Sequence, residues 1–324
     1  MDGRDKPGHD EISNSWQQAS LASAGDNMPQ SFRDVYCQSA DGLKLHAKVI
    51  DPDTSTALPV LCLPGLTRTT DDFDDIARAI ATSPAAPRKV VAVDYRGRGL
   101  SDYDPDPAKY AVPVELGDVL TIAASLGITR AILLGTSRGG LISMALAAAQ
   151  PQLLAGVILN DIGPALEIGG LMKIKGYIAN PPPRQTWDEA ARGLKELFGS
   201  VFPSLSDAEW MAWARRAFRE KAGGGLERTY DLKLAHTLDG LDPANPLPQV
   251  WELFDKLAGV PLMLIHGGLS DLLSLQGVQD MIARRPDIEL VTVADQGHAP
   301  LLADKPTMDR IVAFCARCDG ATAS

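Results

Sequence analysis

Short apolar blocks alternate along this chain with amphipathic stretches. Val35 to Gln38 and Leu43 to Ile50 alternate apolar and polar positions around Ala40-Asp41-Gly42, which predicts a β-hairpin. Six further blocks are apolar nearly throughout: Pro59 to Pro64 (PVLCLP), Lys89 to Asp94, Arg130 to Leu134 (RAILL), Ala155 to Asn160 (AGVILN), Val260 to Gly268 (VPLMLIHGG) and Glu289 to Ala294 (ELVTVA). That is the pattern of strands covered on both faces. Helical periodicity between them predicts helices at Asp71 to Thr82, about Val114 to Leu126, Arg138 to Gln150 and Met308 to Cys318. The expected fold is α/β: a mostly parallel, eight-stranded sheet with helices on both faces.

The alternation stops between about Glu167 and Val250. This stretch is helix-rich, with helices expected near Trp187 to Phe198 and Ser206 to Lys221, and is broken by Pro181-Pro182-Pro183, Pro203 and Gly223-Gly224-Gly225. It is too long for a connecting loop and is expected to be a helical cap, residues 167–250, inserted into a core made of residues 31–166 and 251–324. Its aromatic residues, Trp210 and Trp213 among them, are expected mainly to pack the cap's own core and in part to line a roofed apolar pocket.

Gly135-Thr136-Ser137-Arg138-Gly139 lies between a buried strand and a helix of small residues. Alone, the motif fits an N-capping serine equally well; between a strand and a helix it reads as a nucleophile elbow. A serine hydroxyl needs a base to take its proton. Of the five histidines, His9 lies in a polar stretch, His46 in an alternating strand and His236 in an amphipathic segment, while His266 closes a buried strand. His298 follows a strand in the loop Asp295-Gln296-Gly297-His298-Ala299-Pro300, where open α/β sheets keep their chemistry, and is the expected base. The imidazole needs a carboxylate to fix its tautomer. Asp271, after the VPLMLIHGG strand, is the expected acid; Asp161, after AGVILN, is the alternative, or else a loop cap. The oxyanion hole is expected from the backbone N–H groups of Arg138 and Leu66, the latter exposed by the Pro64-Gly65 turn.

Leu63 to Arg68 (LPGLTR), Asp94 to Asp102 (DYRGRGLSD), Gly135 to Gly140 (GTSRGG), Gly267 to Asp271 (GGLSD) and Asp295 to His298 (DQGH) together resemble the α/β-hydrolase superfamily over about Phe32 to Cys318. The resemblance implies a triad of Ser137, His298 and Asp271 with Leu66 and Arg138 amides as the hole. Pro64 replaces a histidine that many relatives carry. Arg138 after the nucleophile resembles the elbow of epoxide hydrolases and dehalogenases, but those attack with aspartate. A serine attacking an alkyl carbon would leave an unhydrolysable ether, so Ser137 points to acyl transfer: hydrolysis of a small ester, thioester or lactone. The alternatives are a carbon–carbon bond hydrolase of vinylogous diketones, which similar capped relatives are, and a non-catalytic ligand-binding relative.

Composition adds little beyond exclusions. The chain has 324 residues, 45% of them hydrophobic, and a net charge of −10, which argues against general nucleic-acid binding. A small-molecule substrate is expected, with no nucleic-acid or membrane partner; no apolar run is long enough to span a bilayer. Residues 1–30 are polar, read as a disordered leader, and show no secretory signal; a cytoplasmic location is expected, with Met28 as an alternative start. The Asp94 to Asp102 turn matches no phosphate loop or dinucleotide fingerprint and is expected to support the site floor, with Arg96 and Asp102 in ion pairs. Cys315-x-x-Cys318 has no second ligand pair; no metal and no cofactor are expected.

Overall fold

The computed structural model describes residues 31–320 apart from residues 53, 54, 180 and 246; the expected leader lies outside them. The strands of the main sheet are β1 (Arg33–Gln38), β2 (Lys44–Ile50), β3 (Val60–Leu63), β4 (Val90–Asp94), β5 (Ala131–Thr136), β6 (Leu154–Asn160), β9 (Leu262–Gly267) and β10 (Glu289–Val293). They lie in the order β1-β2-β4-β3-β5-β6-β9-β10. Only β1 with β2 and β2 with β4 pair antiparallel; all other pairs are parallel. This is the mostly parallel, eight-stranded α/β sheet that the apolar blocks predict.

Alternate residues of each central strand feed two cores. Leu61, Leu63, Val91 and Val93 face one side of the sheet; Val60, Cys62, Val90 and Ala92 face the other. The first side is covered by α2 (Val112–Ser125), α3 (Arg138–Ala149), α7 (Trp251–Asp255) and α8 (Leu275–Arg284), and the second by α1 (Asp74–Ala81) and α9 (Lys305–Cys318). Burial on both faces is why these strands read as continuous apolar runs rather than as alternating ones.

The segment between β6 and β9 holds α4 (Ile168–Ala179), α5 (Trp187–Phe198), α6 (Asp207–Ala217) and a small antiparallel hairpin, β7 (Phe218–Glu220) with β8 (Leu226–Arg228). A helix continuing to Lys221 was expected here; α6 stops at Ala217 instead. Gly223, Gly224 and Gly225 all have positive φ, so the run of glycines makes the turn of a hairpin. Ser206 starts α6 with a full capping box, exchanging hydrogen bonds with Glu209. Trp210 and Trp213 stack at 5.3 Å and Trp213 meets Phe198 and Phe202, giving this segment a core of its own. No helix among the described residues is long and apolar enough to cross a membrane.

Candidate active site

The register of the sheet brings the site together. Thr136 on β5 pairs with Asn160 on β6, so Ser137 and Asp161 leave adjacent parallel strands at the same level. Both turn sharply, with φ of 50° at Ser137 and 54° at Asp161, a region that costs a non-glycine residue energy. The Ser137 N–H donates to the Asn160 carbonyl at 3.0 Å, and α3 begins at the next residue. A Cβ on Gly139 would lie 2.0 Å from the Leu63 carbonyl oxygen, and one on Gly135 would lie 2.6 Å from Gly139. Only glycine lets the helix pack this close to strands β3 and β5.

His298 lies in the loop after β10. Its Nε2 is 2.9 Å from Ser137 Oγ and its Nδ1 is 2.8 Å from Asp161 Oδ2. An ionised carboxylate can only accept, so Nδ1 carries the proton and Nε2 is left to accept from the serine hydroxyl. Asp161 is fully buried and accepts also from the Gly267 N–H at 2.8 Å and from Ser270 Oγ at 2.6 Å. Asn160 holds the histidine loop in place, its Nδ2 donating to the Pro300 carbonyl at 3.0 Å.

The carboxylate on His298 is therefore Asp161, and the expectation of Asp271 is corrected. Asp271 lies four residues beyond the end of β9, one strand further from Ser137 in the sheet. It is carried to the rim, where its Oδ2 pairs with Lys173 Nζ at 2.7 Å and its side chain stays 35% exposed. Ser270, beside it, is the residue that reaches inward, and sequence reasoning missed it. A short hydroxyl directly before the favoured aspartate was the available signal.

A second buried cluster underlies the site. Glu115 of α2 is fully buried between two arginines: Arg138 Nε lies 2.7 Å from its Oε2 and Arg98 Nη1 2.6 Å from its Oε1. Burial pushes the Glu115 pKa up, but the Arg98 and Arg138 charges outweigh it and hold it below the usual value. Arg98 Nε also donates to the Leu66 carbonyl at 2.8 Å. One carboxylate thus ties together the two segments whose amides were expected to form the oxyanion hole. As the first residue of α3, Arg138 has an N–H without an intrahelical acceptor. Arg96 is in the ion pairs expected of it, with Asp41, Asp104 and Asp118. Asp102 is not; it accepts from the Lys44 N–H at 2.8 Å.

Ser137 and His298 open into a narrow cleft of about 70 Å³, walled by Leu66, Arg68, Tyr177, Phe198, Trp213 and Arg228 among others. A larger cavity of about 670 Å³ adjoins it, sharing Tyr177, Phe198, Arg228 and His298. Trp213 reaches the cleft, with the Arg68 guanidinium 4.7 Å from its ring centroid. Trp210 does not: it lies behind Trp213 in the segment's own core, so the expectation that it lines the pocket is corrected. His46 and His236 pair with aspartates, and His266 Nε2 lies 3.1 Å from the Leu273 carbonyl, all away from Ser137. His9 is outside the described residues.

Comparison with known proteins agrees with the fold. Residues 60–312 match the Alpha/beta hydrolase family. A 3-hydroxybutyrate-oligomer hydrolase from Cupriavidus necator is 32% identical over 276 residues, spanning 83% of this chain and 92% of the relative. Esterase YbfF from Escherichia coli is 25% identical over 257 residues, 76% of this chain and 88% of that protein. An alpha/beta hydrolase of known structure from Novosphingobium aromaticivorans superposes with a TM-score of 0.81 at 39% identity, covering 90% of this chain and all of that one. The chain belongs to the alpha/beta hydrolase family and is an enzyme of the hydrolase class.

Proposed function

We propose that this protein is a serine hydrolase of small carboxylic esters that works through an acyl-enzyme. The observation that carries the reading is the unbroken hydrogen-bonded line from Ser137 Oγ through His298 to Asp161. His298 Nε2 takes the Ser137 proton as Oγ attacks the ester carbonyl carbon. The Leu66 and Arg138 N–H groups receive the oxyanion, held by the Arg98–Glu115–Arg138 clasp. Asp161 stabilises the imidazolium, which then protonates the departing alcohol. Water, deprotonated by His298, attacks the acyl-enzyme; its collapse frees the acid and returns the proton to Ser137. Side chains and water account for every proton and electron pair, so the scheme calls for no metal or cofactor.

The relatives support the ester reading, since a 3-hydroxybutyrate oligomer is joined through ester bonds and YbfF is an esterase. The segment 167–250 acts as the cap: its Tyr177, Phe198, Trp213 and Arg228 wall the cleft over Ser137, and it sets substrate choice by fit. A fluorophosphonate probe should label Ser137 in the wild type and not in Ser137→Ala. That variant should lose hydrolysis of p-nitrophenyl esters by about 10⁴-fold or more. Labelling elsewhere, or turnover surviving in Ser137→Ala, overturns the reading. Cleavage of a ring-fission dienoate in preference to every ester would move it to carbon–carbon hydrolysis.

A further inference from the structure

An arginine in the wall of the chamber lacks a counter-charge among the described residues. Arg228, at the end of β8, lines both the cleft at Ser137 and the larger cavity. Its guanidinium lies 4.1 Å from the Phe218 ring centroid. Among the described residues no carboxylate is within ion-pair distance of it, and its buried Nε has no hydrogen-bond partner. The arginines of the core are treated differently: Arg88 pairs with Asp319, Arg96 with three aspartates, and Arg98 and Arg138 share Glu115. Burial, with Arg184 and Arg68 nearby, holds the Arg228 pKa below the ordinary guanidinium value.

The surroundings add positive charge rather than cancel it. Arg184 lines the same cavity, and among the described residues it too has no ion pair. The acids of that lining are Asp271, already held by Lys173, and Glu196, which is exposed. Beside Ser137 the cleft is lined by Arg68 and Arg228 and by no carboxylate. Arg68 is paired with Asp72 at 3.0 Å, so of the two arginines of the cleft it is Arg228 that lacks a counter-charge among the described residues. This arrangement sits in a chain of net charge −10. Leaving a guanidinium partly desolvated and unpaired is costly, and the Phe218 ring offsets only a fraction of that cost. A ligand that brings a carboxylate removes the rest, because the planar fork of arginine matches it with two hydrogen bonds.

We propose that the chamber selects esters that carry a free carboxylate, which Arg228, backed by Arg184, holds while the ester carbonyl lies at Ser137. This inference rests on the ester-hydrolase reading above and deepens it. Recognition is of the anion, so the neutral analogue of the same shape is the discriminating probe.

Two matched pairs test it: monophenyl glutarate against methyl phenyl glutarate, with the carboxylate on the acyl side, and a linear 3-hydroxybutyrate dimer against its methyl ester, with the carboxylate on the alcohol side. In at least one pair the wild type should favour the acid by about 10- to 100-fold in kcat/KM. That ratio should shrink with added salt. Arg228→Gln should bring it close to one, mainly through KM for the acid, and Arg228→Lys should keep part of it. No preference for the acid in either pair, or an equal loss on acid and methyl ester in Arg228→Gln, overturns the inference; if Arg228→Gln fails to fold, the wild-type ratio, its salt dependence and Arg228→Lys still decide. Fluorophosphonate labelling of Ser137 separates the two readings. Labelled enzyme without charge discrimination loses only the carboxylate anchor, whereas unlabelled enzyme that cleaves no ester loses the ester reading itself.

Discussion

Two histidines of this protein are held by buried aspartates, and only one of them also faces a hydroxyl. His46, on β2, sets Nδ1 2.7 Å from Asp94 and Nε2 3.0 Å from Asp34. Both nitrogens face carboxylates, so both can donate when the ring is protonated, and the two bonds favour the charged form. Burial opposes that charge, but the bonds to Asp94 and Asp34 prevail and raise the pKa. His298 sets one nitrogen against Asp161 and the other against the Ser137 hydroxyl, at the edge of a cleft. A nearby carboxylate and a low exposure are common to both. What distinguishes the proposed base is a second nitrogen left free to accept, facing a hydroxyl where a substrate can enter.

Exchanging the two roles by mutation should produce the largest contrast. His298→Gln is expected to lower kcat by about 10⁴-fold or more with the melting temperature little changed. His46→Gln should lower the melting temperature and change kcat far less. Steady-state kinetics and thermal unfolding of both variants check this, and a folded His46→Gln enzyme without activity would break the comparison.

The carboxylates sharpen it. Asp161→Asn keeps the shape but favours the wrong tautomer of His298, and should cost on the order of 10³- to 10⁴-fold in kcat. Asp271→Asn removes only a rim ion pair with Lys173, of the kind that contributes about 0–1 kcal/mol, so its effect on kcat should be smaller by at least about a hundredfold. Comparable losses in the two variants would mean that Asp271 takes over the imidazole during turnover.

The smallest effect concerns pH. Because the folded-state pKa of His46 is raised, its pairing stabilises the fold fully below the ordinary imidazole value of about 6.5 and is lost as pH rises through the higher folded value. The gap in melting temperature between wild type and His46→Gln should therefore be widest near about pH 6 and narrow with rising pH. A gap that widens instead would show that the ring is buried neutral.

The sheet, the elbow and the histidine loop were legible because each depends on local pattern. Parallel strands covered on both faces must be apolar throughout, and an elbow needs Gly135 and Gly139 where the helix meets the strands. The hairpin that carries Arg228 was hidden because Ser206 to Lys221 keeps a helical period up to a turn that glycines define only by their φ. Trp210 and Trp213, three apart on one helix face, look alike in sequence; the docking of α6 alone decides which one reaches the cleft.

The acid shows where sequence stops. By itself the chain pointed to a serine at a tight strand-to-helix turn and to a histidine in a loop after a strand, because glycines mark the turn and apolar blocks mark the strand ends. It supplied two aspartates, each just past a parallel strand, with nothing local to rank them. Only the tertiary structure ranked them. The order β5-β6-β9 places Asp161 on the strand beside Ser137, and the pairing of Thr136 with Asn160 sets it at the same level. Lys173, arriving from α4, binds Asp271 at the rim. A hydrogen bond acts over about 3 Å, and which groups come that close is settled by strand order and register between separate segments of the chain, a relation that no local pattern encodes.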